Sequence, residues 1–291
     1  MRHSETMDHA SHFEREVRAF QAAARQAADT GGAPLVPSCP GWSVADLVLH
    51  LGGVHRAVTS VIRDRLDKSP DPSDLSFAAL PPDLTGWPAP EQAPNLGPIP
   101  AGLLDWFADG AAGLGAQFRA NDPGTHAWTW SAEQTVGFWL RMQTIEAAVH
   151  RWDAESAVGT ARPIHEEIAA DAIGQTFEVM APARRAWRQA PGGAGERFRF
   201  RRTDGAGCWT VHFDGDDVRL TVGDKLLAVG DDERITGGED VRSGVGGLDV
   251  EVAGTASDLM LFLWQRIPAD GLDVRGDREA LDRYFVLVPP V

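Results

Sequence analysis

The stretch AEQTVGFWLRMQTIEAAVHRWDAESAV, residues 132–158, carries an apolar repeat that predicts one long helix. At about 100° of rotation per residue, its apolar side chains fall on one arc of roughly 200°. Glu146, His150 and Asp153 lie near the centre of that arc, whereas Arg151 falls on the opposite side. Ionisable side chains that face a core are costly unless they are paired, hydrogen-bonded or bound to a metal. This helix therefore predicts a packed bundle with a polar site inside it.

Glu146 and His150 are four residues apart, so they lie one turn apart on one helix face. That spacing suits two ligands of one metal ion. A buried hydrogen bond between the carboxylate and the imidazole has the same spacing. The spacing alone leaves both interpretations open.

The stretch from Ser43 to Leu66 predicts another helix, and Ser43 and Asp46 have the spacing of a capping box at its start. This helix carries His50 and His55 near opposite edges of its apolar arc. The two histidines are about 140° apart, so we do not expect them to bind one metal together. Periodicity does not choose between them, and two hydrogen-bonded or solvated histidines remain an alternative.

Two further helices, Asp8 to Asp29 and Gly102 to Ala120, complete a predicted up-down four-helix bundle. On the first of them, His12 and Glu16 repeat the four-residue spacing, and we expect an exposed ion pair near the helix end. The connection from Lys68 to Pro100 holds nine prolines. A connection of that length either covers a site or is a surface excursion.

The hydrophobic period changes from 3.6 to 2 after a fifth helix, His165 to Trp187, and a glycine-rich joint. The predicted strands are Arg197 to Arg202, Trp209 to Phe213, Val218 to Val222 and Leu248 to Val252. The predicted helices after them are Ser257 to Ile267 and Asp277 to Phe285. We therefore expect a helical domain over residues 1–160 and a small α+β domain over residues 161–291.

Composition excludes several classes of protein. The 291 residues carry a net charge of −15, which disfavours binding to nucleic acid or to anionic membranes. No apolar run is long enough to span a membrane, and residues 1–16 lack the apolar core of a signal peptide. Only Cys39 and Cys208 are present, without metal-ligand spacing. We expect a cytoplasmic protein without a disulfide framework.

Four segments carry a resemblance to a known family. They are SCPGWSVADLVLHLGGVHR (38–56), EAAVHRWDAE (146–155), VAGTASDLMLFLWQR (252–266) and VRGD (274–277). In this order they resemble the mycothiol-dependent maleylpyruvate isomerase family over nearly the whole chain. The resemblance implies a DinB-like four-helix bundle followed by a domain similar to sterol carrier proteins.

The resemblance also implies a metal site and its ligands. Carried over residue by residue, the family's ligands fall on His50, Glu146 and His150, which selects one of the two histidines of the second helix. Two histidines, one glutamate and an open position are typical of catalytic zinc (Zn2+). Arg266 matches a recurrent family arginine and is the candidate for binding an anionic group; a surface helix arginine is the alternative. Asp46 and Asp153 are each either an acceptor behind a ligand or a capping or solvated carboxylate.

The implied partners are mycothiol and a small-molecule electrophile. A free thiol with a pKa of about 8.5 is mostly protonated at neutral pH, and binding to zinc deprotonates it. In the family's isomerase reaction, the thiolate adds to the double bond of maleylpyruvate, the new single bond rotates, and the thiolate leaves. Alternatives are a mycothiol S-transferase that detoxifies electrophiles, and a non-catalytic protein that binds metal or a small molecule.

The basic residues are 25 arginines and two lysines, Lys68 and Lys225. This bias is typical of GC-rich coding sequences and fits actinobacteria, the group that makes mycothiol.

Overall fold

The chain folds as two units, the first ending at Ile164 and the second beginning at His165. The computed structural model describes residues 7–71, 74–223, 225–227 and 248–290, so the first six residues of the polar N-terminal segment lie outside it. A helical region precedes a sheet-containing region, which confirms the predicted fold class. None of the described helices has the length and apolar character needed to cross a membrane.

The first unit contains four long helices close to their predicted positions. They are α1 (His9–Ala28), α2 (Val44–Arg63), α3 (Ala101–Ala120) and α4 (Val136–Ala157). The start of α4 lies inside the predicted range because the Thr135 hydroxyl accepts a hydrogen bond from the Phe138 amide, which caps the helix there. The predicted capping box of α2 is present, with Ser43 and Asp46 each accepting from the other's amide.

The packing order of the bundle differs from the predicted up-down arrangement. In an up-down bundle each helix packs on the next one along the chain. Here α1 packs mainly on α4, and α2 packs mainly on α3. The α1–α3 and α2–α4 pairs also touch, which places α1 diagonally opposite α2, and α3 diagonally opposite α4. The connections over residues 29–43 and 121–135 are long enough to cross between these corners.

The first of these connections holds a small antiparallel sheet that the sequence did not predict. Its strands are β1 (Leu35–Val36) and β2 (Cys39–Ser43). Strands this short show no alternation, and β2 contains a proline and a glycine. The sheet leads directly into the Ser43 cap and so sets the start of α2.

Arg151 corrects the predicted outer face of α4. It is 3% exposed, and its guanidinium donates to Glu16 (2.9 Å), Glu155 (2.8 Å) and the Arg162 carbonyl (2.6 Å). The expected exposed pair of His12 and Glu16 is also wrong, because both are buried. Helix α1 covers the side of α4 that was predicted to face solvent.

The second unit begins with a helix that changes its geometry midway. The predicted fifth helix consists of α5 (Glu166–Gln175), a π-helical turn at Thr176–Met180, and α6 (Ala181–Arg188). A π turn needs one extra residue per turn, and the apolar period does not reveal it.

A six-stranded sheet follows, with the order β6-β5-β4-β3-β7-β8. Its strands are β3 (Gly193–Arg202), β4 (Cys208–Gly215), β5 (Asp217–Val222), β6 (Lys225–Leu227), β7 (Val250–Gly254) and β8 (Asp273–Gly276). The neighbouring strands β3 and β7 are parallel, and the other pairs are antiparallel. The short edge strands β6 and β8 were not predicted.

Two helices, α7 (Ala256–Leu263) and α8 (Arg278–Leu287), pack on strands β3 and β7. Tyr284 of α8 is 1% exposed and makes edge contacts with Phe198, Phe200 and Phe213 of the sheet. This aromatic cluster forms the core of the second unit.

We expect Arg151→Ala to lower the free energy of unfolding by about 3–5 kcal/mol, because it removes the buried cation that Glu16 and Glu155 share. The two carboxylates keep only the more exposed Arg15 and Arg162 as partners. Urea unfolding measures this loss. Arg18→Ala is the control, since Arg18 is 68% exposed beside Glu14 and its loss costs below about 1 kcal/mol. A similar small loss for both variants contradicts the structural role of Arg151.

Candidate metal centre

His50 lies on α2, and the start of that helix is held by one carboxylate. Asp46 accepts hydrogen bonds from the amide and the hydroxyl of Ser43, both at 2.8 Å. It also accepts from the backbone and side chain of Asn95, at 3.0 and 2.6 Å. Asp46 is therefore the capping carboxylate of α2 and anchors the proline-rich connection to it.

Three candidate side chains from two helices meet inside the bundle. His50 Nε2 lies 3.3 Å from Glu146 Oε1, and the His50 and His150 rings are 5.2 Å apart at 79°. One ligand atom from each of the three residues lies within 4.8 Å of the others. Side-chain exposure is 32% for His50, 16% for Glu146 and 10% for His150. The cluster is thus partly buried and reaches solvent on the His50 side.

Polar neighbours orient this cluster. His150 Nδ1 lies 3.1 Å from Asp153 Oδ2, and the Ser38 hydroxyl donates to Asp153 Oδ1 at 2.7 Å. With Nδ1 facing this carboxylate, Nε2 is the ring nitrogen of His150 that would bind a metal ion. Gln143 donates to Glu146 Oε2 at 2.7 Å, which directs Oε1 toward His50. Sequence reasoning missed Ser38 and Gln143; the three-residue spacing of Gln143 from Glu146 was the available signal.

Glu146 is a carboxylate at neutral pH. Burial raises its pKa, but the hydrogen bond and charge of His50, the charge of His150 and the hydrogen bond from Gln143 outweigh burial and lower the pKa to about 2. Metal ligands must be deprotonated, and this group already is. Two imidazoles and one carboxylate are a donor set that fits Zn2+ with a free coordination position.

His55 takes a different place from His50. It is fully buried, between Phe13 at 5.4 Å and Phe107 at 5.5 Å, and within the described part of the chain neither ring nitrogen has a hydrogen-bond partner. Burial lowers its pKa to about 3, against a partly opposing charge at Glu146. His55 is a neutral core residue, and the geometry separates the two histidines that periodicity left equivalent.

His50 opens into a cavity of about 780 Å³ between α2, α3 and the proline-rich connection. Trp42 packs edge-on against the His50 ring at 5.1 Å and forms part of the wall. The proline-rich connection contributes Phe77 and Trp87 to the cavity wall. The sequence left two alternatives for this connection, a segment that covers a site or a surface excursion. The structure supports the first, because the connection forms part of the cavity wall beside His50.

Arg266 lies in the second unit, three residues after the end of α7 rather than within the predicted helix. The helix ends early because Gln265 adopts a left-handed conformation, with φ of 57°. Arg266 is half-buried, and its Nη1 donates to the Trp264 carbonyl at 2.8 Å. The guanidinium is therefore held close to the backbone turn that follows α7.

We expect His55→Leu to weaken the pH dependence of stability. Native His55 stays neutral down to about pH 3, whereas the unfolded chain takes up its proton near pH 6.5, so stability falls as the pH falls between these values. From pH 7 to pH 5 the wild type should lose about 2 kcal/mol more than the variant. Urea unfolding of metal-free protein at both pH values measures the difference. His126→Leu, at an exposed histidine, should retain the wild-type dependence; parallel curves for wild type and His55→Leu contradict the prediction.

Comparison with known proteins agrees with this architecture. Residues 8–155 match the family model described as the mycothiol maleylpyruvate isomerase N-terminal domain, and residues 167–283 match the MDMPI C-terminal domain. No curated protein matches the chain.

Two solved structures resemble it, one of the mycothiol-dependent maleylpyruvate isomerase and one of a mutant of a mycothiol-dependent maleylpyruvate isomerase. They share 13% and 14% sequence identity with the chain, with TM-scores of 0.58 and 0.57, and cover 92% of this chain and 91% of theirs. At this identity the likeness is one of fold, whereas the two family matches span nearly the whole sequence. The chain belongs to the mycothiol maleylpyruvate isomerase family.

Proposed function

We propose that this protein is a zinc-dependent enzyme that uses mycothiol as a thiolate nucleophile on an electrophilic small molecule, in a cis-trans isomerisation like that of maleylpyruvate. The observation that carries the proposal is the meeting of His50, Glu146 and His150 within 4.8 Å of one another in a chain of this family. These residues are the proposed metal ligands.

The three residues would hold the ion through two imidazole nitrogens and one carboxylate oxygen. Zinc bound there would lower the pKa of a thiol so that it is a thiolate at neutral pH. Asp153 holds the His150 ring through Nδ1, and Gln143 holds Glu146 through Oε2. The partial exposure of His50 places the entrance for the thiol and the electrophile on its side of the cluster.

The proposed reaction needs no net proton. The thiolate forms a C–S bond with one carbon of the cis double bond, and the π electrons move onto the conjugated carbonyl oxygen as an enolate. The former double bond rotates as a single bond. The enolate then re-forms the double bond in the trans geometry, the C–S bond breaks, and the thiolate is regenerated. Arg266 is the proposed group for a substrate carboxylate, since a guanidinium binds carboxylates with two parallel hydrogen bonds.

A mycothiol S-transferase is the second candidate function. It shares the addition step, but a proton from water is then added to the enolate carbon, and the product is a stable thioether. The apolar cavity beside His50 favours it, because an apolar electrophile has no carboxylate that would require cationic contacts. The stereochemistry of a released alkene, compared with a thioether adduct, separates the two functions.

A thiol-dependence assay tests the proposal. We expect purified protein with mycothiol and a panel of electrophiles, maleylpyruvate included, to give isomerised product or adduct. His50→Ala and Glu146→Ala should fall to the rate of mycothiol alone and lose the bound zinc, about one ion per chain in the wild type by elemental analysis. His126→Ala, an exposed histidine outside the cluster, should keep both activity and zinc. Zinc binding with no turnover on any electrophile would favour the non-catalytic binding protein.

We expect Asp153→Asn to weaken zinc binding about 10–100-fold, because residues behind a metal ligand set its orientation and basicity. Competition with a chelator of known affinity measures the change. Asp105→Asn, at an exposed carboxylate of α3, is the matched control and should bind zinc like the wild type. Equal affinities for all three proteins contradict the role of Asp153.

A further inference from the structure

One wall of the cavity beside His50 is a single face of α2. His50, Gly53, Val54 and Ala57 line it, at the spacing of residues that share a helix face. Gly53 faces open space, since a Cβ atom added there meets nothing within 4 Å. This helix face leads directly from the proposed metal ligand into the cavity.

The opposite wall is built by the proline-rich connection. It presents large apolar side chains that are only partly covered: Leu75 is 60% exposed, Leu84 is 43% exposed and Leu80 is 40% exposed, and all three line the cavity. Large apolar side chains gathered at one opening mark a binding site rather than ordinary surface.

Two sets of hydrogen bonds hold this wall in place. Asn95 donates to Asp46 at the start of α2, and Trp106 Nε1 of α3 donates to the Ala78 carbonyl at 2.9 Å. Trp87 also packs edge-on against Trp106 at 5.6 Å. The apolar surface is therefore preformed, which lowers the cost of ordering it around a ligand.

The charges at the cavity have one sign. Besides His50, its only ionisable lining residues among those that the structure describes are Asp46 and Glu91, and both are acidic. No arginine or lysine of the described chain lines it. Apart from the proposed metal at His50, no cation there would replace the hydration that a carboxylate loses, whereas an uncharged apolar group gains by burial.

We propose that this cavity binds the apolar, uncharged body of the electrophile, a group of the size and chemistry of a substituted aromatic ring, and that a dicarboxylate does not occupy it. The inference rests on the proposed function for the thiolate addition, the step that both candidate functions share, and it favours the candidate that acts on an apolar electrophile. The cavity of about 780 Å³ lies within the usual range for small-molecule sites. The electrophile would then reach the thiolate from the His50 side, with its apolar part between α2 and the connection.

Dimethyl phthalate and phthalate test this directly. They share one aromatic ring and an ortho pair of carbonyl groups, do not react with thiols under these conditions, and differ mainly in charge. Isothermal titration of the full-length protein, zinc-loaded and metal-free, measures both affinities. We expect the ester to bind at least about tenfold more tightly than the dianion in the metal-free protein, where no carboxylate–metal contact contributes. Phthalate binding as tightly as the ester in that form overturns the proposal.

Two variants locate the binding. Gly53→Leu fills the cavity from α2 and should weaken ester binding at least about tenfold while zinc remains bound. Gly113→Leu makes the same change at a helical glycine of α3 that also faces open space but does not line this cavity, and should have no effect.

A second pair of variants tests the charge preference. Leu84→Arg places a cation in the wall and should shift preference toward phthalate. Leu96→Arg, on the same connection outside the cavity, should leave the preference unchanged. Equal ester affinity in all four variants overturns the proposal.

Competition by mycothiol separates the two possible occupants. If mycothiol displaces the ester from zinc-loaded and metal-free protein alike, the cavity belongs to the thiol and the proposal is wrong. Failure of the proposed function has a different signature: ester binding that Gly53→Leu abolishes, in a protein without thiol-dependent turnover. Turnover without selective ester binding overturns the cavity proposal alone.

Discussion

The burial of charged side chains on α4 constrains the rest of the first unit. A helix with charges on several sides can be buried only if each charge finds a partner at hydrogen-bond distance. Glu16 on α1 meets Arg151, and His50 on α2 meets Glu146. These contacts require both α1 and α2 to pack on α4 in one register. They therefore explain why α1 and α2 lie at diagonal corners, and why a long connection crosses the bundle between them.

The two charged clusters of α4 are balanced in different ways. Arg151 carries a permanent charge and is matched by two carboxylates and by backbone carbonyls, so its cluster is complete within the chain. Glu146 faces imidazoles, which carry a positive charge only when protonated. The described hydrogen-bond partners of Glu146 are His50 and Gln143, neither of which carries a permanent positive charge, and the proposed divalent cation would supply one. This difference supports a metal at the Glu146 cluster and a purely structural role for the Arg151 cluster.

Local patterns predicted the helices well and their partners poorly. The periodicity of residues 132–158 and the Ser43–Asp46 cap are properties of neighbouring residues, so both could be recognised in the sequence. The burial of Arg151 depends on Glu16, which is 135 positions away, and no local pattern contains that contact. The same holds for Ser38 behind Asp153, across 115 positions. His50 and His55 are equivalent in periodicity, and only the family resemblance and the packing against Phe13 and Phe107 separate them.

Asp46 connects the candidate metal cluster to the cavity. The same carboxylate caps α2, and so sets the register that brings His50 to Glu146, and it binds Asn95, which holds the proline-rich connection over the His50 side. The residues of the connection that line the cavity, between Leu75 and Ala93, do not belong to the Glu146 cluster. Its apolar side chains can therefore change without moving the three candidate ligands. On the proposed function, one thiol chemistry can in this way serve different electrophiles, because the apolar wall of the connection lies on a separate element from the three candidate ligands and is joined to α2 at one capping carboxylate.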